Sequence, residues 1–263
     1  MAGVKEIYRL LDEKYPYSVQ ESYDNSGIMA DCGKEIDKVV VSLDITKAVV
    51  DYAASVGAQL IVSHHPLIFT PVKTIRFNSP LQKLLAAGIS AISAHTNFDI
   101  YDGGVNDALA SRLGLQNIRP VFKVSEKPVG GVIRQNFIGR MGELPEEMSP
   151  AALARHTAGC LLGRTAMEYT DGGRPVRRVA VGGGSCGEFI FECAENGIDA
   201  FITGEAKHHQ LLYAKDNGIT MIVAGHYATE NVALEVLAGT ISNGFPELNV
   251  IITRIDNPNS FTE

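Results

Sequence analysis

The chain has 263 residues, of which 45% are hydrophobic and 20% charged, the balance of a globular protein with a full core. The length allows one large domain or two of moderate size. The net charge of −7 weighs against a nucleic-acid partner, which calls for a basic surface, without excluding one, because residues such as Arg174, Arg177 and Arg178 could form a local basic patch. No apolar run reaches the roughly 20 residues that span a bilayer. Met1-Ala2-Gly3-Val4-Lys5-Glu6 lacks the apolar core of a signal peptide. Cys32, Cys160, Cys186 and Cys193 form no CxxC pair and read as reduced thiols without a metal role. The expectation is a cytoplasmic protein with no membrane partner.

Taken in chain order, Val39 to Asp44 is a β-branched run that predicts a strand. Thr46 to Val56 predicts a helix closed by Gly57, and Gln59 to Val62 predicts a strand that delivers Ser63-His64-His65. Leu81 to Ala87 reads as a helix stopped by Gly88, followed by a strand over Ser90 to Ser93 and then His95. From Arg119 to Pro175 the pattern changes. Turn signals accompany a strand over Gln135 to Gly139 and a helix from Ser149-Pro150 to Leu162, with Ser149 as N-cap and Pro150 in the first position. The alternation then resumes. Arg178 to Val181 is a strand and Glu188 to Glu195 a helix closed by Gly197. Asp199 to Ile202 is a strand that delivers Thr203-Gly204-Glu205. Leu211 to Asp216 is a helix stopped by Gly218, and Thr220 to Val223 a strand that delivers Gly225-His226.

The two stretches are copies of one phrase. The offset is 140 from Val39 to Val179 and from Ser63 to Thr203, and 131 from His95 to His226, with an extra loop at 70–78 in the first copy. Helices alternating with short apolar strands predict an α/β fold: two related halves with mostly parallel sheets. The expected segments are 1–118 as the first half, 119–175 as a connecting strand-helix region, and 176–263 as the second half. Ligands of such sheets bind beyond the carboxyl ends of the strands, where His64, His65, Asp99, His226 and Glu230 all fall. This places a metal site in the cleft between the halves.

Imidazole with carboxylate suits Zn, Fe, Mn or Ni, and five such groups suggest two ions. Adjacent His64 and His65 point opposite ways if the strand stays extended. His226 and Glu230 share a helix face if a helix starts near Tyr227. Asp99 is expected in a loop, as a ligand or a helix cap. His95 reads better as a partner that orients a carboxylate than as a ligand. Gly182, Gly184 and Gly187 form a G-x-G-x-x-G pattern with Glu205 beyond it, the spacing of a dinucleotide site. Its counterpart in the first half, Ser42-Leu43-Asp44, is no glycine loop, so an anion on the amides of 183–186 is the better reading. Lys207, His208 and His209 fit an exposed helix face.

With these residues in view, the chain resembles the NIF-three-like dinuclear metal-centre proteins, the GTP cyclohydrolase I type 2 homologues. The resemblance runs through Tyr23-Asp24-Asn25-Ser26-Gly27, Ser63-His64-His65-Pro66, His95-Thr96-Asn97-Phe98-Asp99, Gly103-Gly104-Val105-Asn106-Asp107, Thr203-Gly204-Glu205 and Gly225-His226-Tyr227-Ala228-Thr229-Glu230. Tyr23 stands where Trp is often found, and Glu205 where Asp is. The chain is similar to the short form, without the domain that some members insert between the halves. The resemblance implies one metal on His65 and Asp99, another on His64 and His226, and Glu230 bridging them. It also implies a ring-shaped homohexamer, three dimers with metal sites facing an inner cavity. The activity implied is metal-dependent hydrolysis of a nucleotide such as GTP, with His95 and Glu205 as proton-moving catalytic residues. The competing expectation is a non-catalytic metal-binding ring, serving as a scaffold or in metal handling or regulation.

Overall fold

The computed structural model describes residues 2–162 and 167–258. In chain order the elements are α1 (Val4–Lys14), β1 (Gly27–Ala30), β2 (Lys38–Ser42), α2 (Lys47–Ser55), β3 (Leu60–Ser63), α3 (Pro80–Ala87), β4 (Ser90–Ser93), α4 (Thr96–Ile100) and α5 (Val105–Arg112). The long strands β5 (Gln116–Val129) and β6 (Val132–Met148) follow, then α6 (Pro150–Leu162), β7 (Tyr169–Thr170) and β8 (Val176–Gly182). The chain continues with α7 (Ile190–Cys193), β9 (Ala200–Thr203), α8 (His208–Asp216), β10 (Thr220–Val223), α9 (His226–Glu230), α10 (Leu234–Gly244) and β11 (Asn249–Ile252).

These elements form two compact units. One holds Met1–Phe98, Pro128–Val132 and Leu234–Glu263; the other holds Asp99–Lys127 and Ile133–Ala233. In the first, the strand order is β1-β4-β3-β2-β11. Strands β4, β3, β2 and β11 run parallel, and β1 is antiparallel at the edge. The central strands β2, β3 and β4 are buried along their length or nearly so, as in the VVV of β2 and the LIV of β3, because helices cover both faces of such a sheet, whereas β11 at the edge is only partly covered. Val40, Ile61 and Ala91 pack with Val49, Val50 and Ala53 of α2 and Leu84 of α3.

In the second unit the order is β5-β6-β8-β9-β10-β7. Strands β8, β9 and β10 are parallel, and β6 and β7 flank them antiparallel. Phe201, Met221 and Ala180 pack on one face with Ile190, Cys193 and Ala214. Val179, Val181, Ile202 and Ile222 pack on the other with Leu109, Leu153 and Ala154.

The duplication is visible in the registers. Val39 pairs with Leu60 and Leu60 with Ser90, while Val179 pairs with Ala200 and Ala200 with Thr220. The strand offset is thus 140, 140 and 130, and the 131 between His95 and His226 comes from one more residue after β10 than after β4. Gly225, at φ 96°, accommodates that residue in a conformation open mainly to glycine.

The units divide the chain along lines other than the three segments drawn from the sequence. The stretch from Leu234 returns to the first sheet, where β11 pairs in parallel with β2 from Asn249↔Lys38 to Ile252↔Val41. Residues 116–148 form two long neighbouring strands, and β6 is hydrogen-bonded to β8 through Arg140↔Val181 and Met141↔Ala180. The helix expected over 188–195 is a 3-10 turn followed by the single turn α7. Ser149 does cap α6, accepting from the Ala152 amide at 3.2 Å. No helix among the described residues is long and apolar enough to cross a membrane.

Candidate metal centre

In the first unit Ser42, Ser63 and Ser93 lie level at the carboxyl ends of β2, β3 and β4. The chain turns immediately beyond them. The Ser42 hydroxyl donates to the Asp44 carbonyl at 2.9 Å and the Ser63 hydroxyl to the His65 carbonyl at 2.7 Å. Because β3 ends at Ser63, His64 and His65 are released from strand alternation. Their ring centroids are 4.9 Å apart, so they do not diverge as an extended strand would require. His95 joins them, with centroids 5.2 Å from His64 and 5.5 Å from His65. One ring nitrogen from each of the three lies within 4.8 Å of the others, a group that could hold a metal ion.

Each ring is anchored through Nδ1. His64 Nδ1 is 2.8 Å from the Ala94 carbonyl. A carbonyl only accepts, so this nitrogen carries the proton. His65 Nδ1 is 2.9 Å from Asp44 Oδ1, and His95 Nδ1 is 2.9 Å from Asp24 Oδ1. Imidazoles held this way present Nε2 as the donor atom, the usual arrangement behind a metal. Asp24 is a hub. Its Oδ2 accepts from the Thr96 amide at 3.0 Å, the Thr96 hydroxyl at 2.5 Å and the Ser26 hydroxyl at 2.7 Å. Burial pushes its carboxyl up, but the His95 hydrogen bond and charge, with the two hydroxyls, outweigh that and hold it well below the usual carboxylate range.

In the second unit Gly182, Thr203 and Val223 lie level at the ends of β8, β9 and β10. His226 opens α9 and Glu230 closes it, and the expected i, i+4 pair forms: His226 Nε2 lies 3.0 Å from Glu230 Oε2. His226 Nδ1 is 2.8 Å from Glu205 Oε1, whose other oxygen accepts from the Ser185 hydroxyl at 2.7 Å. The Ser185 hydroxyl first, then His226, hold the Glu205 carboxyl below its ordinary value. Asp99 lies inside α4 rather than in a loop. One of its carboxylate oxygens lies within 4.8 Å of one of Glu230's.

The glycine loop shapes this cluster instead of binding an anion with all its amides. The Gly183 amide donates to Asn106 Oδ1 at 2.8 Å and the Gly184 amide to Thr229 Oγ1 at 3.0 Å. A Cβ on Gly184 would stand 2.1 Å from Glu230 Oε1 and 3.2 Å from His226 Nε2. This close approach, at φ 61°, admits only glycine. Burial, then the charges of Asp99, Glu230 and Glu188, push the Cys186 thiol well up. His208 and His209 are exposed on α8, and His209 stacks on Phe191 at 6.2 Å.

The first unit thus offers three imidazoles anchored through Nδ1, and the second offers an anchored imidazole, two acids whose oxygens approach each other and a glycine cradle around Glu230; such nitrogen and oxygen donors suit borderline divalent ions. Asp44, Asp24 and Asn106 carry no role in the sequence reading. Asp24 and Asn106 do belong to the recurring motifs, and Asp44 follows a strand end just as the histidines do.

Fold and site together define an α/β protein of two parallel-centred sheets, with histidine and carboxylate donors at the strand ends. A family model described as Duf34/NIF3 (NGG1p interacting factor 3) matches residues 2–259, and the chain belongs to that family. It is 32% identical over 262 residues to a Campylobacter jejuni protein named GTP cyclohydrolase 1 type 2 homolog, covering 97% of this chain and 98% of the relative. A Staphylococcus aureus hypothetical protein of known crystal structure is 28% identical, with a TM-score of 0.89 and 99% of each chain covered. Reduced HcgD from Methanocaldococcus jannaschii is 26% identical, with a TM-score of 0.78 over 95% of this chain and 97% of its own.

Proposed function

We propose that the protein binds two divalent metal ions per chain and is a metal-dependent hydrolase acting on a nucleotide such as GTP. The ligand set we assign is His64, His65, Asp99, His226 and Glu230. The observation that carries this reading is the shared anchoring of His64, His65, His95 and His226 through Nδ1, which turns each Nε2 into a donor atom. The name carried by relatives such as the Campylobacter jejuni protein supports GTP as the first substrate to try.

Bound divalent ions would supply Lewis acidity and a water of lowered pKa. The chain's own residues would do the rest. Asp44 and Glu205 hold His65 and His226 in one tautomer and orientation. His95, fixed on Asp24, presents its free face for a proton transfer. Glu205, whose carboxylate accepts from the Ser185 hydroxyl and faces His226 Nδ1, is the acceptor we assign for a second one. Two cavities adjoin these residues, the first with Asp44 and Lys47 in its wall, the second with Glu188, Glu205 and Lys207. One of about 570 Å³ is lined by His65, Asp44, Thr46 and Lys47. Another of about 270 Å³ is lined by Glu205, Ser185, Lys207 and Gln210. In assembled form the protein would be a homohexamer in the cytoplasm.

The test is elemental analysis of protein purified without chelator, with GTP turnover measured before and after stripping. Two ions per chain, with turnover lost on stripping and regained on refilling, is the expected result. Two ions with no turnover of nucleotides, phosphoesters or amides would keep the metal site and overturn the GTP reading in favour of another substrate or a non-catalytic scaffold or metal-handling role. No stoichiometric metal would overturn both.

A further inference from the structure

Asn106 is 1% exposed and far from any solvent role. Its side chain has two donors and an oxygen acceptor, and all are used. Nδ2 donates to the Asp99 carbonyl at 3.1 Å and also to the Ile138 carbonyl. Oδ1 accepts the Gly183 amide at 2.8 Å. Two carbonyl partners and one amide partner fix which way the side-chain amide points. Three chain segments therefore meet on one side chain: the end of α4, the strand β6, and the loop after β8.

Two of those segments set the acids. Asp99 is the residue whose carbonyl is held. Gly183 precedes Gly184, whose missing Cβ leaves room for Glu230 Oε1. A Cβ on Gly183 itself would meet Glu230 Cγ at 3.4 Å, so the same loop backs the whole Glu230 side chain. Thr229 secures the far end of the brace. Its Oγ1 accepts the Gly184 amide at 3.0 Å and is in turn 2.9 Å from the His226 carbonyl.

We propose that Asn106 is a positioning residue that sets the separation of the Asp99 and Glu230 carboxylates, and thereby the geometry of the ions they hold. The inference rests on the metal-binding reading above. Loss of a buried amide leaves two carbonyls and one N–H without their partner, so the segments it joins relax relative to one another. Purely structural buried amides elsewhere would not disturb the acids. Asn136, also 1% exposed and hydrogen-bonded to the Ser125 hydroxyl at 3.0 Å, is the control.

The experiment is Co(II) titration of the stripped full-length protein, followed by its visible absorption, for wild type, Asn106→Ala, Thr229→Val and Asn136→Ala. The expected result is affinity lowered about tenfold or more in Asn106→Ala, the range for residues behind a ligand, with a changed absorption envelope. Thr229→Val, which breaks the same brace at its other end, is expected to move both in the same direction. It carries the test if Asn106→Ala does not fold. Asn136→Ala is expected to bind and absorb as wild type does. Wild-type affinity and spectrum in the folded Asn106 or Thr229 variants would overturn the inference while leaving the metal reading intact. Failure of the wild-type protein to take up Co(II) would overturn the metal reading and this inference with it.

Discussion

His64, His65, His95 and His226 each spend Nδ1 on a fixed acceptor: the Ala94 carbonyl, Asp44, Asp24 and Glu205. Removing one acceptor should therefore weaken ligation without touching a ligand. Asp44→Asn is expected to lower metal affinity about 10- to 100-fold, read by competition with a chromogenic chelator; unchanged affinity would show that the His65 bond does not matter to binding. His65→Ala and Glu230→Ala are each expected to remove both bound metal and turnover. Asp24 acts on stability as well. Its folded carboxyl is held below its ordinary value. The stability it adds is thus fully present above the unfolded pKa of about 4 and is lost as pH falls through the folded value. Asp24→Asn is expected to cost about 1–3 kcal/mol at pH 7, with the gap to wild type narrowing on acidification. Chemical denaturation across pH would read this, and a gap that widens on acidification would contradict it.

Among the elements, the parallel strands explain why the donors cluster. Three strand ends in each sheet are level, so the residues that follow them emerge at one edge. The loop after β8 makes a sharp test. Gly184→Ala places a Cβ against Glu230 Oε1 at φ 61°. We expect loss of about 1–3 kcal/mol from backbone strain, with metal binding lost too. Gly173→Ala has a similar φ of 74° but nothing within 4 Å of the new Cβ. It should carry the same backbone cost of about 1–3 kcal/mol and leave metal binding unchanged. Equal metal affinity in the two variants, measured by calorimetry, would contradict the cradle. The elements legible in the sequence were those with strong local signals. The β-branched runs of β2 and β3 and the stops at Gly57, Gly88 and Gly218, all at positive φ, mark boundaries wherever the chain ends up. Short α4 escaped because the motif from His95 to Asp99 reads as loop-like without its partners. Adjacent His64 and His65 converge because β3 ends at Ser63, so strand alternation reaches neither of them.

At the scale of the whole chain, metal should appear as stability. Ions that bind the folded protein alone raise its melting temperature by mass action. Stripping is expected to lower Tm by about 5–10 °C relative to protein held at a hundredfold excess over Kd, with recovery on refilling. A Tm indifferent to metal, followed by differential scanning fluorimetry, would argue against ligands shared by the folded structure. The repeated helix-glycine-strand phrase, the parallel strands at the centre of each sheet, and the histidines and acids at the strand ends are all legible in the residues alone. Those signals are local: periodicity, glycine stops and residue type within a few positions. Folding in three dimensions is what brings β11 back to pair with β2, joins β6 to the second sheet, and sets Asp24 against His95 across 71 residues and Asn106 against Gly183 across 77. These depend on which distant segments are brought side by side when the cores close. No local pattern encodes that pairing, because its free energy comes from burial and hydrogen bonds between parts of the chain that are neighbours only after folding.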